Sequence, residues 1–246
     1  MKTTLASLLL LFGLHAHAQC IPPNNLYIHE TANLSSMSKA SFKDAIKKVL
    51  DAYKGHVATT EGAILQINDL WSDGTVNAQA YQKWVNGQLY YMIDAFGGLA
   101  RHPKMTKNAF IAVLCHELGH HIGGAPKYRA DWASNEGQSD YFATLRCMKK
   151  LGISSSAPAL ALSRTLADLG GERSPKRSSR DSSKVAQTYD RHPRAQCRLD
   201  IMDAGRACDA TGKLSPLDPK PGTCFNYDGA DNTVGEGNRP RCFFRP

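Results

Sequence analysis

Apolar positions at 42, 45, 46, 49, 50 and 53 follow one helical face, while lysines at 39, 43, 47, 48 and 54 fill the other side. That spacing predicts an amphipathic helix over 38–54. Residues 62–67 and 88–94 are short apolar or aromatic runs and predict strands. Phe110, Ile111, Val113, Leu114 and Leu118 mark the buried side of a helix over about 107–121. Thr106 is its N-cap, and Gly123, Gly124 and Pro126 end it. Further helices are predicted over 135–150 and from near Pro193, a favourable first helical residue, toward Gly205. Between those two, residues 174–183 are rich in Ser, Arg and Lys without an apolar anchor and read as an exposed loop. The tail from 211, rich in Pro, Gly and Asp, reads as irregular. No internal repeat is present. The fold class is therefore α+β: mainly helical, with a small β-sheet and an irregular C-terminal extension that carries cysteines.

The start of the chain is not part of that pattern. Lys2 gives a positive start, 5–14 is an apolar run, and Ala16-His17-Ala18 is a small-x-small cleavage site. Residues 1–18 thus read as a secretory signal, leaving Gln19 and Cys20 at the new N-terminus. Lipidation of Cys20 is a lesser alternative, since His17-Ala18-Gln19 is a poor lead-in for it. The expected division is a signal peptide at 1–18, a main domain at 19–210 and a Cys-containing extension at 211–246. No later stretch approaches the roughly 20 apolar residues of a membrane helix. The protein is expected in an exported, periplasmic or secreted location. Export permits disulfides among the cysteines at 20, 115, 147, 197, 208, 224 and 242. Seven is an odd number, so at least one thiol stays out of the intramolecular pairing. Cys115, inside an apolar helix, is the candidate free thiol, and a bridge between Cys224 and Cys242 is plausible across the Gly- and Asn-rich tail. The formal net charge of +8 falls largely in 172–198 and the last eight residues. The basic residues are not interleaved with aromatics, and no nucleic-acid module is present, so no nucleic-acid partner is expected. A solvated face or attraction to anionic surfaces accounts for the charge.

The chemistry centres on Cys115-His116-Glu117-Leu118-Gly119-His120-His121. On a helix, His116 and His120 lie on one face a turn apart and can share one metal ion. Glu117 then sits where it can take a proton from a bound water. A catalytic zinc typically takes three protein ligands and keeps a fourth position for water. Glu136, sixteen residues after His120, is the candidate third ligand. Asp140 lies on the same helical face and suits a carboxylate that accepts the outer N–H of a ligating histidine. Taken alone, Glu136 and Asp140 read as a solvated acidic face; behind the histidine helix they read as site residues. His121 points about 100° away from His120 and reads as packing or a residue beside the site. His102 and His56 read as surface or locally satisfied histidines.

The strings His-Glu-Leu-Gly-His-His at 116–121 and Asn-Glu-x-x-Ser-Asp-x-x-Ala at 135–143 resemble the gluzincin metallopeptidases, whose third zinc ligand is a glutamate. His192-Pro193, followed by Arg198, is similar to the His-Pro and Arg pattern of the M48-like (Ste24/HtpX-type) peptidases. Asn77-Ala78-Gln79-Ala80 and Gly97-Gly98-Leu99 resemble that family's Asn-Ala-x-Ala and its edge strand along the active-site cleft. The resemblance covers about 60–205. The chain departs from the pattern in lacking membrane helices, in its many cysteines and in the Ser/Arg stretch before His192.

The resemblance implies a soluble, exported zinc endopeptidase with a zincin-like domain and one Zn2+ per chain. Its ligands would be His116, His120 and Glu136, with Glu117 as base. His192 would face the zinc site, stabilising an oxyanion or occupying the open zinc position. By itself His192 reads equally as a histidine preceding Pro193. Arg198 reads as a residue that pairs a carboxylate in the core, or as a cleft residue. A strand at 97–101, with Gly97, Gly98 and Leu99, would hold a protein or peptide substrate by strand addition. Two other readings stand beside this one: a non-proteolytic zinc-binding or chaperone-like protein, and a zinc amidase acting on cell-wall material. The oligomeric state is not legible.

Overall fold

Helix α3 (Lys107–Ile122) is the axis of the fold: every residue from Ala109 to Ile122 is buried. A helix buried on every face must be covered on all sides. Helices α1 (Lys39–His56), α4 (Glu136–Phe142) and α6 (Ala157–Leu169) and the sheet surround it. The computed structural model describes residues 18–22, 24–32, 34–128, 132–208 and 237–245. Apart from Ala18, the expected signal peptide lies outside those residues, as does most of the 211–246 extension.

Helix α1 forms as its periodicity predicts. Ser38 caps it by accepting from the Ser41 amide, and Phe42, Ala45, Ile46, Val49 and Tyr53 face the core. The sheet has the order β1-β3-β4-β2. Strand β2 (Ile64–Leu70) runs parallel to β4 (Gln88–Phe96). Strand β3 (Ala78–Val85) pairs antiparallel with β4 across Asn86-Gly87. Both turn residues have positive φ, 50° and 79°, as the tight primed hairpin turn requires. Strand β1 (Ala18–Gln19) pairs antiparallel with β3.

Residues 97–101 do not form the expected edge strand. They include a buried short helix, α2 (Gly97–Ala100). A Cβ on Gly97 would lie 1.9 Å from the Trp71 carbonyl oxygen, and one on Gly98 would lie 2.0 Å from that of Gly74. The Gly98 amide donates to the Asp73 carbonyl at 2.9 Å. Arg101 folds back to donate to the carbonyls of Trp71, Ile28 and Asp73. Gly97, Gly98 and Leu99 thus lock the 71–75 turn against the core and offer no edge to a substrate. The glycines serve close backbone packing.

The predicted 135–150 helix is present as α4, a wider π-helical turn at Ala143–Cys147 and α5 (Met148–Lys150). Asn135 caps it by accepting from the Gln138 amide. Helix α6 was not foreseen. Helix α7 (Ala195–Ala207) follows Pro193 as expected, and 171–194 holds no helix or strand. Residues 237–245 fold back onto α4 and α7, where Phe243 packs with Tyr141 and Ile201. No helix among the described residues is long and apolar enough to cross a membrane.

The cysteine expectations are corrected. Cys115 is not free; it is bonded to Cys147. Cys242 pairs with Cys197 rather than Cys224, because 237–245 dock on α7. Cys208 is disulfide-bonded to a partner outside the described residues. The free thiol among the described residues is Cys20, which is buried.

The Cys115–Cys147 bridge ties α3 to the helix carrying Glu136 across a sequence separation of 32. Replacing both cysteines by alanine should lower stability by about 3–4 kcal/mol on the chain-entropy view. A urea titration reads this, and an unchanged midpoint would show that helix packing alone holds the two together.

Candidate metal centre

Two helices bring the candidate ligands together. His116 and His120 project from one face of α3, and Glu136 opens α4. The helices approach closely at Gly119, where a Cβ would lie 2.9 Å from the Ser139 Cα. Around this contact the ligand atoms converge. His116 Nε2 is 3.1 Å from Glu136 Oε2, and His120 Nε2 is 3.6 Å from Glu136 Oε1. The two Nε2 atoms are 3.1 Å apart. All three side chains are buried.

The hydrogen bonds on the far side of each ring test whether this set fits a metal. His116 Nδ1 lies 2.8 Å from Asp140 Oδ1. His120 Nδ1 lies 2.8 Å from the Ser134 carbonyl oxygen, which can only accept. Both Nδ1 atoms therefore carry the hydrogens. In the neutral rings both Nε2 lone pairs then face one another and a carboxylate. Glu136 Oε2, buried beside them, has no hydrogen-bond partner. Three electron-pair donors aimed at one buried point repel each other unless a positive charge stands between them. The set is two imidazoles and a carboxylate, with the outer N–H groups held, as in catalytic zinc sites.

The electrostatics agree. Burial opposes a charge on His116, but Asp140 and Glu136 outweigh it and raise its pKa to about 9. Burial takes His120 down to about 4 against the pull of Glu136. Glu136 is also disfavoured as an anion by burial, yet His120, His192 and His116 hold it well below the usual carboxylate range. The pocket is thus arranged to hold positive charge, as one proton or as a metal ion.

Asp140 is itself held by Arg198, whose Nε donates to Oδ2 at 2.6 Å and Nη2 to Oδ1 at 2.8 Å. This two-pronged pair lies in the core, so Arg198 is the carboxylate partner. It also reaches the Cys20 carbonyl through Nη1 at 2.6 Å.

Glu117 lies on α3 beside His116. Both of its carboxylate oxygens are buried without a hydrogen-bond partner. Burial pushes its pKa up to about 8, with His116 pulling the other way. Such a carboxylate is primed to take up a proton. His192 also reaches the site, with Nε2 at 3.4 Å from Glu136 Oε2. His121 is a packing residue: it stacks between Tyr91 and Trp132 and meets the Met92 carbonyl. His102 lies 3.3 Å from Asp168 and is locally satisfied.

Two residues at the site, Tyr128 and Cys20, were not foreseen. The Tyr128 hydroxyl donates to Glu136 Oε1 at 2.9 Å from the loop joining the two ligand helices. No spacing rule singles out a loop tyrosine. Cys20 Sγ lies within 4.8 Å of a ring nitrogen of His116 and a carboxylate oxygen of Glu117. Asn77 grips the backbone of Ile21. The Asn77-Ala78 string pointed to the cleft, but the edge was sought at 97–101.

Comparison with known proteins finds no matching family model, no matching curated protein and no matching solved structure. The case for the site rests on its own geometry.

If the cluster holds a metal ion, replacing Glu136 by alanine should weaken its binding, with zinc as the probe, by more than the roughly 10–100-fold that loss of an outer hydrogen-bond partner costs. Competition against a chromophoric chelator measures this, and unchanged affinity would remove Glu136 as a ligand. Asp140→Ala leaves Arg198 charged and unpaired in the core, and the chain should lose about 3–5 kcal/mol of stability in urea.

Proposed function

We propose that the protein is a zinc-dependent endopeptidase of gluzincin type that hydrolyses peptide bonds by a water activated at Glu117. One observation carries the reading: an unpartnered, buried carboxylate adjoins three converging ligand atoms. A purely structural zinc site would be closed by a fourth ligand and would have no use for a base beside it.

A zinc ion held by His116, His120 and Glu136 would supply Lewis acidity, lowering the pKa of a water and polarising a carbonyl. The remaining work falls to side chains. Glu117 takes a proton from the attacking water, its raised pKa suiting it to accept one and then release it to the leaving amine. Asp140 fixes the His116 tautomer and ring plane, and Arg198 fixes Asp140. His192, partly exposed beside Glu136, and the Tyr128 hydroxyl border the ligand set. They are the candidates to donate to the oxyanion that forms on the scissile carbonyl. The disulfides favour an oxidising compartment, consistent with export.

Glu117→Gln tests the reading. This variant should bind one zinc per chain as the unaltered protein does. Its hydrolysis of unfolded casein should fall by about 10²–10⁴-fold, the usual contribution of a positioned base. Cleavage at the unaltered rate would show that Glu117 is not the base.

A further inference from the structure

Residues 18–22 lie across the centre just described, and the hydrogen bonds that hold them there run mainly through their backbone. Ala18 and Gln19 pair antiparallel with Ala80 and Gln79 at the free edge of β3. The Cys20 amide donates to the Ala78 carbonyl at 3.2 Å. Asn77 holds Ile21 at two points: its Oδ1 accepts from the Ile21 amide and its Nδ2 donates to the Ile21 carbonyl, both at 3.2 Å. Arg198 donates to the Cys20 carbonyl. None of these bonds reads a side chain, so the same groups would hold the backbone of any extended peptide.

The side chains then fall where a peptide's must. Cys20 is fully buried, with its thiol beside His116 and Glu117. Ile21 and Pro22 border a cavity of about 190 Å³ lined also by Leu166, Leu169, His192 and Arg198. Glu117, the buried carboxylate with no hydrogen-bond partner, has an oxygen within 4.8 Å of the Cys20 thiol.

We propose that residues 18–22 are a built-in occupant of the site, filling along the β3 edge, against Asn77 and Arg198, the place that a peptide substrate would take. The inference builds on the peptidase reading of the same site. A substrate and residues 18–22 cannot occupy the edge together, so the segment must leave before a peptide enters. The chain is arranged for such release. Residues 24–28 are anchored separately: the Ile28 amide donates to Gly74, Val76 donates to Leu26, and Arg101 holds the Ile28 carbonyl. Pro22-Pro23 separates anchor from occupant. If the signal peptide is cut after Ala18 as the sequence suggests, residues 19–22 remain to fill the cleft.

Competition tests this directly. In a Glu117→Gln background, a fluorescein-labelled Ala-Gln-Ser-Ile-Pro peptide is titrated and followed by anisotropy. The chain in which 19–22 is replaced by Gly-Ser-Gly-Ser should bind it at least tenfold more tightly than the chain with its own segment, and Asn77→Ala should cancel that gain. Equal affinity in the two chains, or none in either, overturns the inference and leaves the peptidase reading to its own test. Tight binding by the Gly-Ser chain, together with failure of the same chain carrying Glu117 to cleave casein, upholds the self-filled cleft and overturns the peptidase reading. A second measurement needs no change to the segment. In the Glu117→Gln chain, excess peptide should speed alkylation of Cys20 by iodoacetamide at least tenfold, read by mass spectrometry. A rate independent of peptide overturns the inference.

Discussion

Burying five ionisable groups at one point is the constraint that the rest of this structure serves. His116, His120, Glu136, Asp140 and Arg198 all lie in the interior, where an unpaired charge is costly. The groups are tolerable there only as a neutralising set. Arg198 answers Asp140, Asp140 answers His116, and the histidines answer Glu136. The members come from three helices, two from α3, two from α4 and one from α7, so the set forms only when these helices are docked. The glycine at 119, the Asn135 cap and the Cys115–Cys147 bridge all fix the α3–α4 approach on which the ligand distances depend.

The sequence showed this centre more clearly than it showed the scaffold. The helical period at 38–54 and the cap at 106 are local signals, and the elements that follow them are present. The His116, His120 and Glu136 cluster follows from the four-residue helical step and one helix–helix contact. Strand β3 was missed because its core-facing residues, Ala78 and Ala80, are small and belong to no run of large apolar side chains, with Gln79, Gln82 and Lys83 among its other positions. The Asn86-Gly87 pair ahead of the 88–94 strand was the available hairpin signal. The edge strand expected at 97–101 is absent for a different reason. The resemblance implies it, but Gly97 and Gly98 answer a backbone contact with 71–75 that only the folded chain creates. Cysteine pairing was not legible because it depends on 237–245 folding back onto α7.

The first described residues give the cleft its second feature. Cys20 and Ile21 are held through their backbone by Asn77 and Arg198, with the Cys20 thiol beside His116 and Glu117. Arg198 belongs to both arrangements. It pairs with Asp140 behind His116 and also donates to the Cys20 carbonyl that lies over the site.

The central claim is that His116, His120 and Glu136 hold one zinc ion. Zinc K-edge X-ray absorption on the chain loaded with one equivalent of zinc tests it most directly. The account predicts two imidazole nitrogens at about 2.0–2.1 Å and carboxylate oxygen at about 2.0–2.2 Å in the first shell. A shell dominated by sulfur at about 2.3 Å, or zinc that remains in solution, would contradict it.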